Sequence, residues 1–403
     1  MPPLAKLLPH AVLALLVAAS LGIGAAAAAV TPLPDGKDDF NTLGFTVRHA
    51  WVRFALAATA PFRDDLSRAE EDALVGRFFE LNARITEQER IASDATASPG
   101  AAAAARAESA ALRDERERIE NQVEDILAAR VAAVADDLGL TRHYGADVVW
   151  PPPSFEFADP PSVLIVSPRS EIRVSRRTLL QGDIPVQRRE QLEAGAERTG
   201  DVSALVVQIG GIAMYPAIVP PVSDYRSAMR NLAHEWMHHY LFFAPLGRSY
   251  NDSPDLRTLN ETVAGIVGDE LGDAIVAAYP LQPQYVVRRA PAPAQQPPPP
   301  VDFNAEMRRL RIEVDALLAA GQVEEAERIM EQRRAFLAEN GYYIRKINQA
   351  YFAFHGAYAD SPGATDPIGP KLLALRARSA SLADFVETAR ALTSVPALDG
   401  ALD

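Results

Sequence analysis

The 403-residue sequence contains no cysteine. That absence removes thiolate metal sites, thiol nucleophiles, cysteine-linked lipid anchors and disulfides together, so any metal must be held by histidine and carboxylates. It leaves the compartment open, because a chain this long can bury a core large enough to do without disulfides. Basic residues are also in deficit: 40 Lys and Arg against 53 Asp and Glu give a formal charge of -13. This is the wrong sign for a phosphate backbone, and no basic run interleaved with aromatics occurs, so no nucleic-acid partner is expected. There is no G-x-S-x-G elbow and no Walker A loop, and Gly22 and Gly24 lie inside an apolar run rather than a strand-loop-helix.

Long apolar runs are missing too, except at the start. Lys6 precedes a nearly unbroken apolar stretch from Ala11 to Val30 that ends in the small residues Ala25 to Ala29. It reads as an export signal with an A-x-A cleavage site, yet about 20 apolar residues also suffice to span a bilayer. Residues 1–30 are therefore expected to be either a signal peptide or a retained membrane anchor. Both place the chain outside the cytoplasm, in the cell envelope or secreted, with a membrane contact if the segment is kept.

Beyond residue 30 the text is that of an ordinary folded protein, 48% apolar and 23% charged over the whole chain. Residues 31–145 predict an N-terminal helical region: Leu74, Phe78, Leu81 and Ile85 recur at helical spacing, and an Ala/Glu/Arg-rich stretch follows from Ala101 to Leu138. Ser98, Pro99 and Gly100 divide it, and Trp51 and Phe54 are expected in the core. Pro151 to Pro153 end the helical regime. Short β-branched runs at Ser162 to Val166, Glu171 to Val174 and Ala204 to Ile209 predict a small sheet.

Helical pattern returns over Tyr225 to Phe243 and Leu256 to Ala278, so a core unit is expected over 146–282. A proline-rich connector, 283–302, carries six prolines between Pro291 and Pro300. A C-terminal helical region, 303–403, opens with a predicted hairpin, Phe303 to Ala319 and Val323 to Asn340, turned at Gly321. The expected fold class is α+β, mostly helical, with a small β-sheet beside a helix pair.

The chemistry concentrates in His234-Glu235-Trp236-Met237-His238. In H-E-x-x-H two imidazoles one helical turn apart face one metal, and the Glu between them reaches its bound water. The motif is short enough to arise by chance in about one chain in a hundred of this length, so its surroundings must support it. Leu232, Ala233, Trp236, Met237, Tyr240 and Leu241 cover one half of the helix, and the two His lie just off that half. His239 is offset from the pair and reads as cleft lining or a structural histidine.

Catalytic zinc commonly takes three protein ligands and keeps an open position. Glu261, in the pair Asn260-Glu261, would complete that set, with Gly265, Gly268 and Gly272 continuing its face and suggesting close approach of the two helices. Asp269, and less well Glu270, either accepts a hydrogen bond from a ligand His or belongs to a solvated acidic turn.

H-E-W-M-H followed at this distance by N-E-T-V-A resembles the gluzincin-type, thermolysin-like zinc metallopeptidases over Gly210 to Leu271. The resemblance implies a zincin-like core, Zn2+ as cofactor, His234, His238 and Glu261 as its ligands, Asn260 beside them, Glu235 as general base, and a peptide or protein substrate. Gluzincins often carry an acidic residue four places after the ligand Glu, where this chain has Gly265.

The segment from Phe303 is also similar to bacterial aminopeptidase-like proteins, through Ile347 to Ala350 and Tyr351 to Tyr358. Zinc aminopeptidases hold the substrate amine with a Glu in a Gly-x-Met-Glu-Asn-like strand, and Gly211 to Tyr215 has none.

An oxyanion donor is expected downstream, on the face shared by Asn348, Tyr351, His355 and Tyr358, with His355 or Tyr358 as candidate; the alternative is an aromatic core face. Extended backbone over Gly211 to Val219 is expected to align a peptide by β-addition, limited by Pro216. The competing function is a cell-envelope scaffold or binding protein that keeps a zincin-like fold without turnover.

Overall fold

Two helices of the expected N-terminal region pack against each other in the computed structural model, which describes residues 36–49, 66–94, 96–141, 150–286, 301–356 and 367–403. α1 (Arg68–Ser93) starts at a capping box in which Ser67 and Glu70 satisfy each other's backbone N–H. α2 (Pro99–Asp137) is N-capped by Ser98, whose hydroxyl accepts from Ala101 N at 3.2 Å. The division expected at Ser98 to Gly100 falls there, with Pro99 and Gly100 in the first turn of the second helix, where a proline has no N–H to forfeit. Phe78, Phe79, Leu127 and Val131 are buried where the pair meets the rest of the chain.

The main sheet is antiparallel in the order β3-β2-β4, with β2 (Ser162–Pro168) flanked by β3 (Arg176–Leu180) and β4 (Val202–Gln208). The expected strand at Glu171 to Val174 is instead the connection before β3. The Ser167 hydroxyl donates to Glu171 O at 3.1 Å and accepts from Arg173 N at 3.3 Å, which folds that segment into a turn despite its branched residues.

Both faces of this sheet are buried. Leu164, Val166, Ala204 and Val206 meet Leu192 and Ala196 of α3 (Val186–Glu197), a helix whose polar sequence gives little periodic signal. Val163, Ile165, Leu205 and Val207 meet Ala350 and Phe354 of α9 (Gln349–His355). A separate parallel pair, β1 (Phe155–Phe157) with β5 (Ala217–Val219), lies nearer the site.

The helices expected to carry the site are α4 (Tyr225–Phe242) and α6 (Pro254–Ala278), joined by the single-turn α5 (Pro245–Arg248). One apolar core unites them with α1, α2, α10 (Ile368–Arg378), α11 (Leu382–Ala389) and α12 (Val395–Leu402). The core thus runs across the boundaries expected near residues 145 and 303.

The hairpin of α7 (Phe303–Ala319) and α8 (Val323–Glu339) forms as anticipated, with Gly321 at φ 72°. Ion pairs tie it to Arg169, just beyond β2, through Glu327 at 2.7 Å, and tie the segment after it to α3, Lys346 with Glu197 at 2.7 Å and Arg345 with the buried Glu193. The architecture is mostly helical with small sheets, an α+β arrangement. Among the described residues no helix is long and apolar enough to cross a membrane; the run at 1–30, Trp51, Phe54 and residues 287–300 of the connector lie outside them.

α4 and α6 touch through glycines. A Cβ on Gly268 would stand 3.0 Å from His234 Cβ, and one on Gly272 would stand 2.6 Å from Arg230 Cα. Gly265 departs from the expected close approach, since a Cβ there would have no heavy atom within 4 Å. Opposite effects on stability follow. Gly272→Ala is expected to lower stability by about 1–3 kcal/mol through overpacking, and Gly265→Ala to raise it by about 0.5–1 kcal/mol through helix propensity. Urea unfolding of the two variants checks this, and equal shifts would contradict the packing asymmetry.

Candidate metal centre

α4 is set in rotation by its buried half. Asp224 caps it, accepting from Ser227 N at 2.7 Å, while Leu232, Ala233, Trp236, Met237 and Leu241 are fully enclosed. Trp236 also donates its indole N–H to Pro151 O at 2.8 Å, so the helix cannot roll without breaking a buried hydrogen bond. This orientation carries His234 and His238 to the edge facing α6. Ser253 caps α6 and Pro254 fills its first turn, placing Asn260 and Glu261 opposite the imidazoles.

Three donor atoms converge there. His234 Nε2 and His238 Nε2 are 3.1 Å apart, and Glu261 Oε2 lies 3.6 Å from the first and 3.5 Å from the second. Ligands about 2.05 Å from a tetrahedral ion stand about 3.4 Å from one another. Among the described residues this is the one group of three or more His, Asp or Glu able to hold a metal ion.

The hydrogen bonds around the triad suit a cation. Asn260 Nδ2 donates to Leu246 O at 3.5 Å, which leaves Asn260 Oδ1 to accept from His238 Nδ1–H at 2.8 Å. With its proton on Nδ1, His238 directs an Nε2 lone pair at a second ring nitrogen and a carboxylate oxygen. Three acceptors facing one another favour a positive charge between them, and the donor set fits zinc. Tyr250 donates its hydroxyl to Glu261 Oε1, so the carboxylate is held from behind while Oε2 faces the imidazoles.

Protons can answer the same demand. Burial opposes a charge on His238, but Glu261 facing it prevails and pushes the pKa up to about 9. Burial likewise opposes the Glu261 carboxylate, and the two imidazoles outweigh it and hold its pKa well below the ordinary carboxylate value.

Glu235 is buried beside this set, and burial, ahead of every nearby charge, raises its pKa. Its carboxylate rests on Gly211, where a Cβ would stand 2.3 Å from Glu235 Oε1. All these groups line one open cavity of about 1130 Å³, walled by α4, α6, α10, β3 and the segment after β4.

The remaining sequence candidates settle differently. His239 is not cleft lining: it is 1% exposed, it hydrogen-bonds Met214 O through Nε2 at 2.5 Å, and burial lowers its pKa to about 4, so it is a neutral structural residue. Asp269 does not support a ligand His. It pairs with Arg230 at 3.1 Å on the exposed rim, because eight residues beyond Glu261 the helix has turned about 80° from the donor face. Glu270 pairs with Arg376.

His355 packs at a tilt against Tyr351, with ring centroids 4.3 Å apart, and it is Phe354 that lines the cavity, since the Ala350 and Phe354 face of α9 is the one buried on the sheet. Asn348 caps that helix and donates to Ala204 O. Tyr358 lies outside the described residues.

Sequence reading overlooked two contributors. Tyr250 is a single aromatic in the polar loop joining the site helices, and only the fold shows which carboxylate it meets. Gly211 was legible as a turn signal in Gly210-Gly211, but its service to Glu235 was not. No family profile, curated protein or solved structure matches the chain.

A zinc ion held by the triad would have to displace the proton that His238 holds below its raised pKa, so affinity should climb about tenfold per pH unit from pH 7 to 9 and then level off. Competition titration with a chromogenic chelator across that range measures it, and a flat profile would contradict the assignment. Asn260→Ala is expected to weaken zinc about 10- to 100-fold without unfolding the chain.

Proposed function

We propose that the chain is a zinc-dependent metallopeptidase of the gluzincin type, hydrolysing peptide bonds with Glu235 as general base. The observation that carries this reading is the triad of His234 Nε2, His238 Nε2 and Glu261 Oε2, 3.1 to 3.6 Å apart, with the buried Glu235 carboxyl beside it in an open cavity. His234, His238 and Glu261 would hold a zinc ion, which would supply Lewis acidity and lower the pKa of water toward neutral. A carboxylate oxygen of Glu235 takes the proton from the attacking water and returns it to the departing amine. Asn260 and Tyr250 keep His238 and Glu261 in register, so little reorganisation is required during the reaction.

Backbone geometry supports a peptide as substrate. Ile212 and Ile218 exchange both their hydrogen bonds at 3.1 Å, and Gly211, Ile212 and Ala213 line the cavity. An extended peptide can pair with that short edge. The edge is narrower than the Gly211 to Val219 expectation, because Ala217–Val219 is buried against β1. The apolar run at 11–30 supports placing this activity in the cell envelope.

Glu235→Gln is expected to retain one zinc and lose at least about 10²-fold in kcat/KM on a mixed peptide library. Gly211→Ala is expected to do likewise, because its methyl displaces the base rather than the ligands. Mass-spectrometric cleavage profiles beside metal analysis separate the outcomes. A zinc-loaded parent that cleaves nothing would sink the proposal.

A further inference from the structure

Among the described residues the exposed large apolar side chains mostly stand alone, one to an element, as on α3, α7, α8 and α10. The helix at 42–49 carries two of them, Leu43 at 61% and Val47 at 58% exposed. One turn apart, they share a side. A single exposed Leu needs no explanation, but an adjacent pair on a helix of two turns does.

The helix is not free to turn that side inward. Just before it, the chain pairs with the edge of β3: Phe40 N–H donates to Leu179 O at 3.0 Å, and Gln181 N–H donates to Asp38 O at 2.9 Å. Arg188 Nε donates to the Asp38 carboxylate at 2.9 Å, and at the far end His49 meets Glu156 of β1 at 3.0 Å. Thr46 is buried, and Phe45 stacks on His49 with ring centroids 4.1 Å apart, so these three residues take the inward side. At about 100° per residue, Leu43, Gly44, Val47 and Arg48 fill the opposite arc.

Two cations frame the apolar pair. Lys37 and Arg48 are exposed, and neither has a carboxylate partner among the described residues, although the chain carries a formal charge of -13. Chain length indicates what covers this face. The apolar run at 11–30 ends at Val30, eight positions before Asp38, so even a fully extended link spans at most about 26–29 Å. A bilayer holding that run lies within this reach of the pinned strand.

We propose that the outward side of the 42–49 helix is a membrane-contact surface: Leu43 and Val47 enter the interface of the bilayer that holds residues 11–30, and Lys37 and Arg48 meet its anionic headgroups. The contact does not depend on the metal site. Because Phe40 is bonded to Leu179, a residue of the cavity wall, it also sets how the cavity is oriented to the lipid.

The absence of cysteine allows single labels. Full-length protein carrying Leu43→Cys or Val47→Cys, labelled with the fluorophore NBD, is reconstituted into phosphatidylcholine–phosphatidylglycerol vesicles, with Tyr343→Cys, at an 87% exposed position, as control. Aqueous iodide should quench the labels at 43 and 47 at least about threefold less than the control, and lipid-borne nitroxide should quench them but not the control. Lys37→Glu combined with Arg48→Glu should remove most of that protection.

Equal iodide access to all three labels overturns the proposal. So does protection without quenching by the lipid nitroxide, which would mean that protein covers the face. Protection unaltered by loss of both cations overturns the headgroup contact, and loss of residues 1–30 from the protein extracted from membranes of the expressing cells, read by intact mass, overturns the anchor on which the geometry rests.

Discussion

The short approach of α4 to α6 is the constraint on which the candidate site depends. With ordinary side chains at Gly268 and Gly272 the helices would be held farther apart, and the Glu261 carboxylate would no longer reach the imidazoles of His234 and His238. Separation alone would not place the donors, so rotation is set independently: Trp236 anchors α4 through Pro151, and the caps at Asp224 and Ser253 determine where each helix begins. Distance and rotation together define a triangle of about the size that a tetrahedral ion requires.

Around that triangle the protein leaves little freedom. Asn260 determines the proton position on His238, and Tyr250 occupies the outer oxygen of Glu261. On the other side, Met214 O engages His239, which ties the segment after β4 to α4. The same segment carries Gly211 under the Glu235 carboxylate and presents the short backbone edge to the cavity. Glu235, the His234 and His238 side chains and the Gly211 to Ala213 backbone are therefore tied together through α4 and the segment after β4.

The wider fold supplies rigidity from both ends of the chain. α1 and α2 share one apolar core with α4 and α6, and α10 to α12 pack onto the same core. The hairpin of α7 and α8 has its own apolar centre and joins the sheet through Arg169, Arg345 and Lys346 and their acidic partners. Those contacts orient α9, whose Phe354 closes one wall of the cavity.

Much of this was legible in the sequence, and the rest was not, for physical reasons. Helix positions could be read because apolar spacing and caps are local: Tyr225–Phe242, Pro254–Ala278 and both arms of the hairpin lie within a few residues of expectation. The motif could likewise be read, because one helical turn brings His234 and His238 to the same side. The strand expected at Glu171 to Val174 failed because a single hydroxyl, Ser167, converts branched residues into a turn. Asp269 and His355 were assigned from helical faces alone, and a face states a direction without stating what stands opposite it.

The sequence by itself therefore determined the two site helices and the hairpin, the pairing of two imidazoles with a nearby carboxylate residue, and the absence of any thiol chemistry. Tertiary structure decided that Tyr250 and Asn260 hold the candidate ligands, that Gly211 seats the Glu235 carboxylate, and that Gly265 opens onto space while Gly268 and Gly272 are packed. These depend on contacts between segments distant in the chain, and no local pattern of residues encodes which surfaces will meet.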